Sequence, residues 1–217
     1  MKTVLILGAS GMVGGEVLSL CLQNHQVGKV KIIVRRPLGI INDKLEEIIH
    51  SDYYNYSTIA DRLKDVDVCY FCIGVYTGAV PKEEFNKITI DMPFELAKVL
   101  NKQNPNITFC LLSGAGADST EQSRVLFAKA KGIAENRLIG LGFNRLYIFR
   151  PGYIYPVTPR KEPNIWYRLF RILYKPLKGI MKSSSVTSVQ LASKMIAVSL
   201  SENEQVIFEN MDIIKSS

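Results

Sequence analysis

The amino-acid sequence predicts an α/β fold: a doubly wound parallel sheet with a small helical region on the substrate side near the C-terminus. Three observations carry that expectation. Short apolar runs without polar alternation recur along the chain, segments with apolar residues at helical spacing separate them, and the first run ends in a glycine-rich turn that leads into a helix. Apolar strands alternating with helices build a parallel sheet covered on both faces, and strands buried on both sides lose the in-out alternation of a half-exposed sheet.

VLILG (4–8) reads as the first strand and GEVLSLCLQ (15–23) as the first helix. KVKIIVRR (29–36) is the second strand, LEEIIH (45–50) the third, IADRL (59–63) a short helix and VDVCYFCIG (66–74) the fourth strand. A long helix follows over 82–103, bent before Pro93, and ITFCLLSGAG (107–116) is the fifth strand. Ser119 with Gln122 suits a capping box opening the helix that contains FAKAKG; that helix stops near Gly140 and Gly142. RLYIFRPG (145–152) is the sixth strand, SVTSVQLASKMIAVSL (185–200) a closing helix and QVIFEN (205–210) a last short strand.

At 217 residues the chain supports one sizeable core, so the expectation is a single domain over 1–217, with 153–185 as a lid or substrate-side insertion. The apolar run Val4 to Leu7 is shorter than a secretory core, and nowhere do about 20 apolar residues run uninterrupted, as a bilayer span requires; a cytoplasmic location is expected. Four cysteines do not make a disulfide scaffold, and the Cys69–Cys72 pair lies inside an apolar strand with no second ligand pair, which reads as core and not as a metal site.

The net charge of +7 raises nucleic acid, anionic membrane or a phosphorylated ligand as partners. Much of it lies in NIWYRLFRILYKPLKGIMK (164–182), where Arg168, Arg171, Lys175, Lys178 and Lys182 recur three or four apart opposite an apolar stripe. A substrate-side lid is the favoured reading of this amphipathic segment, with peripheral membrane contact as its competitor. No recognition-helix or aromatic-and-basic strand pattern supports nucleic-acid binding.

Gly8-Ala9-Ser10-Gly11-Met12-Val13-Gly14 has a GxxGxxG spacing where the first strand turns into the first helix. Glycines there allow a tight turn and the close approach of a pyrophosphate, whose charge meets free N–H groups at the helix N-terminus. This is the Rossmann-type dinucleotide site. The second strand ends in Arg35-Arg36, where an NAD binder usually places a carboxylate on the ribose; two guanidiniums suit a 2′-phosphate, so NADP(H) is favoured over NAD(H). Asp52, after the third strand, is either an acceptor for the adenine amino group or a turn-forming residue. Cys72, Ile73 and Gly74 end the fourth strand, and Pro151 and Gly152 the sixth; in an open parallel sheet such carboxyl ends bind ligands.

Taken together, GASGMVG, the Arg35-Arg36 pair, CIG, LLSGAGAD, AKAKGIAE and FRPG resemble the atypical short-chain dehydrogenase/reductase superfamily over roughly residues 1–155. The nearest likeness is to the Tat-interacting-protein-like NADP-binding reductases, with the NmrA-like proteins more distant. The resemblance implies that Ser113 orients a substrate carbonyl and that Lys131 is the lysine of a Tyr-x-x-x-Lys pair, holding the nicotinamide ribose. Phe127 stands at the tyrosine position. A positioned acid contributes about 10²- to 10⁴-fold to such a reduction, and phenylalanine has no proton to give. Tyr153 is the substitute acid carried forward, with Tyr155 and Tyr76 behind it. Two functions compete: an NADP-dependent oxidoreductase of a small carbonyl-type substrate using Ser113, Lys131 and Tyr153, and a catalytically impaired NADP(H)-binding regulatory or interaction protein. A membrane-associated assembly or redox-sensing factor is a third reading.

Overall fold

The computed structural model describes residues 1–157, 184–201 and 203–215. Its centre is a seven-stranded parallel sheet in the order β3-β2-β1-β4-β5-β6-β9. The strands are β1 (Lys2–Leu7), β2 (Val27–Val34), β3 (Leu45–Ile49), β4 (Val68–Phe71), β5 (Thr108–Leu112), β6 (Arg145–Arg150) and β9 (Ile207–Glu209). A second, two-stranded parallel sheet pairs β7 (Tyr153–Tyr155) with β8 (Ser185–Thr187).

Strand alternation divides the core in two. Val4 and Ile6 of β1, Ile32 of β2, Tyr70 of β4 and Phe149 of β6 face one side, packed under α1 (Met12–Gln23) and α5 (Ser188–Leu200). Leu5, Leu7, Ile33, Phe71 and Ile148 face the other, under a 3-10 turn (Ser57–Leu63) and α3 (Met92–Gln103). Side chains one residue apart on a strand point to opposite faces, so an uninterrupted apolar run is what a doubly covered strand needs. The same alternation separates Cys69 from Cys72: they pack on opposite faces, and all four cysteines are free thiols.

The helix expected over 82–103 is α2 (Lys82–Asn86), a π turn (Lys87–Asp91) and α3 in one run, with the wide turn directly before Met92-Pro93. Proline cannot donate to the residue four back and its ring crowds that carbonyl; a wider turn is one way a helix absorbs it. Two expectations are corrected. Ser119 and Gln122 do not cap a helix, because α4 (Leu126–Ile139) begins seven residues after Ser119 with Val125 as its N-cap. The Asp118 carboxylate instead accepts from the amides of Thr120, Gln122 and Ser123 and closes 118–123 into a loop. In the closing segment 185–187 is strand β8, and the capping box is Thr187 with Gln190. β9 is followed by a short helix, α6 (Asn210–Ile214), that the sequence pattern did not suggest.

The amphipathic segment 164–182 lies outside the described residues, as does most of the 153–185 insertion; β7 and β8 bring its two described ends side by side. Among the described residues no helix is long and apolar enough to cross a membrane.

Candidate cofactor and active site

β1 lies between β2 and β4, and the chain order reverses there, which opens a crevice beyond the carboxyl ends of β1 and β4. The glycine turn forms its floor. Gly8 has φ +84°, and a Cβ on it would lie 2.8 Å from the carbonyl carbon of Cys72, so only glycine lets the ends of β1 and β4 come this close. The Gly11 amide closes the turn onto the Gly8 carbonyl at 2.8 Å. Gly14 packs α1 onto the same carbonyl, which a Cβ there would approach to 2.2 Å. Ala9 and Val13 are buried beneath, while Ser10 is exposed on the crevice side.

A dinucleotide fits this cradle on the structure's own terms. The N-cap of α1 is Gly11, with no side-chain cap and no acidic residue in the first turn, so the helix offers its first N–H groups and its positive end to the crevice. A Cβ on Gly74, across the crevice, would meet nothing within 4 Å.

Two cavities share Gly11, Cys72, Ile73, Gly74 and Val75 as wall, which makes them lobes of one groove. The lobe of about 540 Å³ is bounded by Gly8, Ala9, Ser10, Arg35, Arg36 and Tyr53. Both arginines are exposed at the end of β2, where they can reach an anion. Asp52 is not on this wall. Its Oδ1 accepts from the Tyr54 amide at 3.0 Å, a turn contact, and its neighbour Tyr53 lines the lobe. Burial pushes the Tyr53 phenol above its ordinary pKa, with the nearby Arg35 guanidinium opposing.

The lobe of about 440 Å³ collects the remaining predicted residues: Met12, Val13, Ser113, Lys131, Pro151, Gly152 and Tyr153, together with Phe127 and Tyr76. Tyr155 does not line it. The Phe127 ring lies against Gly114, where a Cβ would come within 2.5 Å of its Cζ. Gly132 lets α4 rest on the loop before it, since a Cβ there would meet the Asp118 carbonyl oxygen at 1.8 Å; this seats Phe127 and Lys131 beside the end of β5. Lys131 Nζ donates to the Leu112 carbonyl at 3.2 Å. Burial lowers its pKa from the ordinary 10.5 to about 8, against a weaker upward pull from the Glu135 carboxylate.

Ser113 is buried, and its hydroxyl donates to Glu135 Oε1. Glu135 is itself fully buried and held by the Arg150 guanidinium through Nε, at 3.1 Å to each carboxylate oxygen, and through Nη2. Arg150 reaches onward to Glu209 at 2.9 Å and to Ser119 Oγ at 2.9 Å. Sequence reasoning missed Glu135. Its signal was available: a carboxylate one helical turn after Lys131, next to Ala134 and three residues before Leu138, both buried on the helix's core side. Tyr53 and Gly114 were also missed, for want of any pattern that distinguishes them from loop residues.

No family profile matches the chain. The rat protein HTATIP2 is 31% identical over 169 residues, covering 76% of this chain and 68% of that protein. Protein FMP52, mitochondrial, of Debaryomyces hansenii is 31% identical over 149 residues, covering 68% of this chain and 64% of the relative, just under two thirds of its length. Among solved structures, the Bordetella bronchiseptica enzyme WbmH in complex with NAD+ superposes with a TM-score of 0.72 at 14% identity, over 96% of this chain and 75% of that one. A short-chain dehydrogenase from Burkholderia cenocepacia in complex with NADP gives a TM-score of 0.69 at 14% identity, over 95% and 89%. At these identities the structural likeness establishes the fold.

Proposed function

Because this chain belongs to the NAD(P)-binding atypical short-chain dehydrogenase/reductase family that includes HTATIP2 and FMP52, we propose that it binds NADP(H) in preference to NAD(H) and serves as an oxidoreductase of a small carbonyl-type substrate. The observation that carries this reading is the single groove whose two lobes meet at Gly11 and Cys72-Ile73-Gly74. Arginines stand at one end of it, and Ser113 and Lys131 at the other.

In this reading the turn from Gly8 to Gly14 and the N-terminus of α1 hold the pyrophosphate, and Arg35 with Arg36 meets the 2′-phosphate bidentately. Ile73 and Gly74 form the flat wall, Pro151 and Gly152 the far edge, and Lys131 contacts the ribose. A reduced nicotinamide, when bound, supplies the hydride. Ser113 lines the substrate end, its hydroxyl hydrogen-bonded to Glu135 and free to turn toward a substrate carbonyl, and Tyr153 offers a phenol on the cavity wall. The protein is a single domain with 153–185 as a substrate-side insertion. It works in the cytoplasm without nucleic acid, although the yeast relatives carry the word mitochondrial in their names, and subcellular fractionation decides between the two. For the basic amphipathic sequence 164–182, outside the described residues, a substrate-side lid is the proposed role and peripheral membrane contact the alternative that flotation on anionic vesicles tests.

Phe127 favours a second reading, in which the chain keeps its nucleotide but has lost turnover and acts as a regulatory or interaction protein. A thermal-shift titration with NADPH and NADH tests the shared premise, since a ligand that binds only the native state raises its apparent stability. A response to neither nucleotide refutes both readings. Given binding, turnover on a panel of carbonyls separates them: activity in wild type supports the oxidoreductase, and activity only in Phe127→Tyr supports the impaired binder.

A further inference from the structure

With Phe127 where the family's tyrosine would stand, the proton for a reduced carbonyl has to come from another group on the wall of the smaller lobe. Ser113 is a poor source, because its one hydroxyl proton is already given to Glu135. Cys72 is another poor source, since burial pushes its thiol up to about 12. Lys131 differs from both. An ammonium carries three hydrogens, one of which goes to the Leu112 carbonyl, and the side chain borders the cavity on the same helical face as Phe127, one turn on.

Resting on the oxidoreductase reading, we propose that Lys131 is the proton donor of this site, its ammonium taking the part of the missing phenol. The surroundings suit that role. The charged and titratable groups around Lys131 are Glu135 on its own helix, Cys72 and Tyr76 from β4 and the loop after it, Ser113 from the end of β5, Tyr153 from β7, and Arg150 of β6 reaching Glu135. Among the described residues Glu135 is the one carboxylate acting on Lys131, and Arg150 competes for it by gripping both oxygens. Desolvation therefore wins, and the ammonium titrates close to the range where a proton donor works best. In the step, the carbonyl carbon gains the hydride from the reduced nicotinamide and the C=O π pair moves onto oxygen. That oxygen takes a proton from Lys131 Nζ, and the neutral amine left behind regains one from water.

The test has two arms. Protein labelled with ¹³C at lysine Cε, the Lys131 signal assigned through the backbone, is titrated by NMR; a midpoint near 8 is expected. A midpoint above about 10, the ordinary lysine range, overturns the proposal whatever the turnover. In the second arm, kcat with NADPH and a carbonyl panel falls as pH rises through that midpoint. Lys131→Arg keeps a cation that does not release its proton near neutrality, and is expected to lower kcat at saturating NADPH by about 10²-fold. Adding Phe127→Tyr to Lys131→Arg restores turnover, because a phenol again stands in the cavity. Full activity in Lys131→Arg, or loss of activity in Tyr153→Phe with Lys131→Arg unaffected, overturns the proposal and leaves the oxidoreductase reading in place. NADPH binding without turnover on any carbonyl overturns both.

Discussion

Replacing Lys131 with methionine keeps the length and volume of the side chain while removing its charge, and the effect on stability should depend on pH in one direction. The folded-state pKa of about 8 lies below the ordinary 10.5, so between those values the unfolded chain binds more protons than the folded one and wild-type stability rises with pH. At about 1.4 kcal/mol per pKa unit this depression corresponds to on the order of 3 kcal/mol. Below pH 8 wild type bears the full cost of a desolvated ammonium, and above 10.5 it bears none. Other groups run the opposite way: burial raises the phenols of Tyr53, Tyr56 and Tyr70 and the thiols of Cys21, Cys69, Cys72 and Cys110, so their contributions fade as pH rises. They are common to both proteins and cancel in the difference. Urea unfolding of wild type and Lys131→Met from pH 7 to 10.5 should show the variant's relative advantage shrinking by on the order of 3 kcal/mol. Stability curves that stay parallel across that range would refute the argument that burial depresses this lysine.

Gly14→Ala should destabilise by about 1–3 kcal/mol or more, because the added Cβ meets the Gly8 carbonyl oxygen at 2.2 Å and neither backbone can yield cheaply; denaturant melts and loss of the NADPH thermal shift measure it. Arg35→Ala with Arg36→Ala should weaken NADPH by about 10- to 100-fold, the loss of about 1.5–3 kcal/mol of charge-assisted contact, and leave NADH within about twofold in titration calorimetry. Glu135→Ala strands the largely buried Arg150 and should cost about 3 kcal/mol in denaturant melts, the low end for a broken buried pair because Glu209 and Ser119 still hold the guanidinium. Equal stability of wild type and Glu135→Ala would show that this network does not support the floor of the site.

Much of the fold was legible in the sequence because its signals are local. An apolar run such as Val4–Leu7 followed by Gly8 has few ways to be satisfied other than a buried strand and a left-handed turn, and the structure places it so. The loop at 118–123 was not legible. Ser119 and Gln122 have the spacing of a capping box, but Asp118 captures three amides of the loop and Gly132 admits its carbonyl against α4, a contact between residues 14 apart in the chain. The sequence by itself determined a doubly wound sheet, a glycine turn able to seat a pyrophosphate, a pair of arginines at the end of β2 and a phenylalanine where a tyrosine is usual, because each depends on residue identity and short-range spacing. Tertiary structure alone decided that Ser113 donates a hydrogen bond to Glu135, that Arg150 pairs with that carboxylate, and that Lys131, half-buried on the cavity wall, keeps a weakened hold on its own proton. Those are facts of solvation and of polar groups brought together from three separate elements, and neither is encoded in any short stretch of the chain.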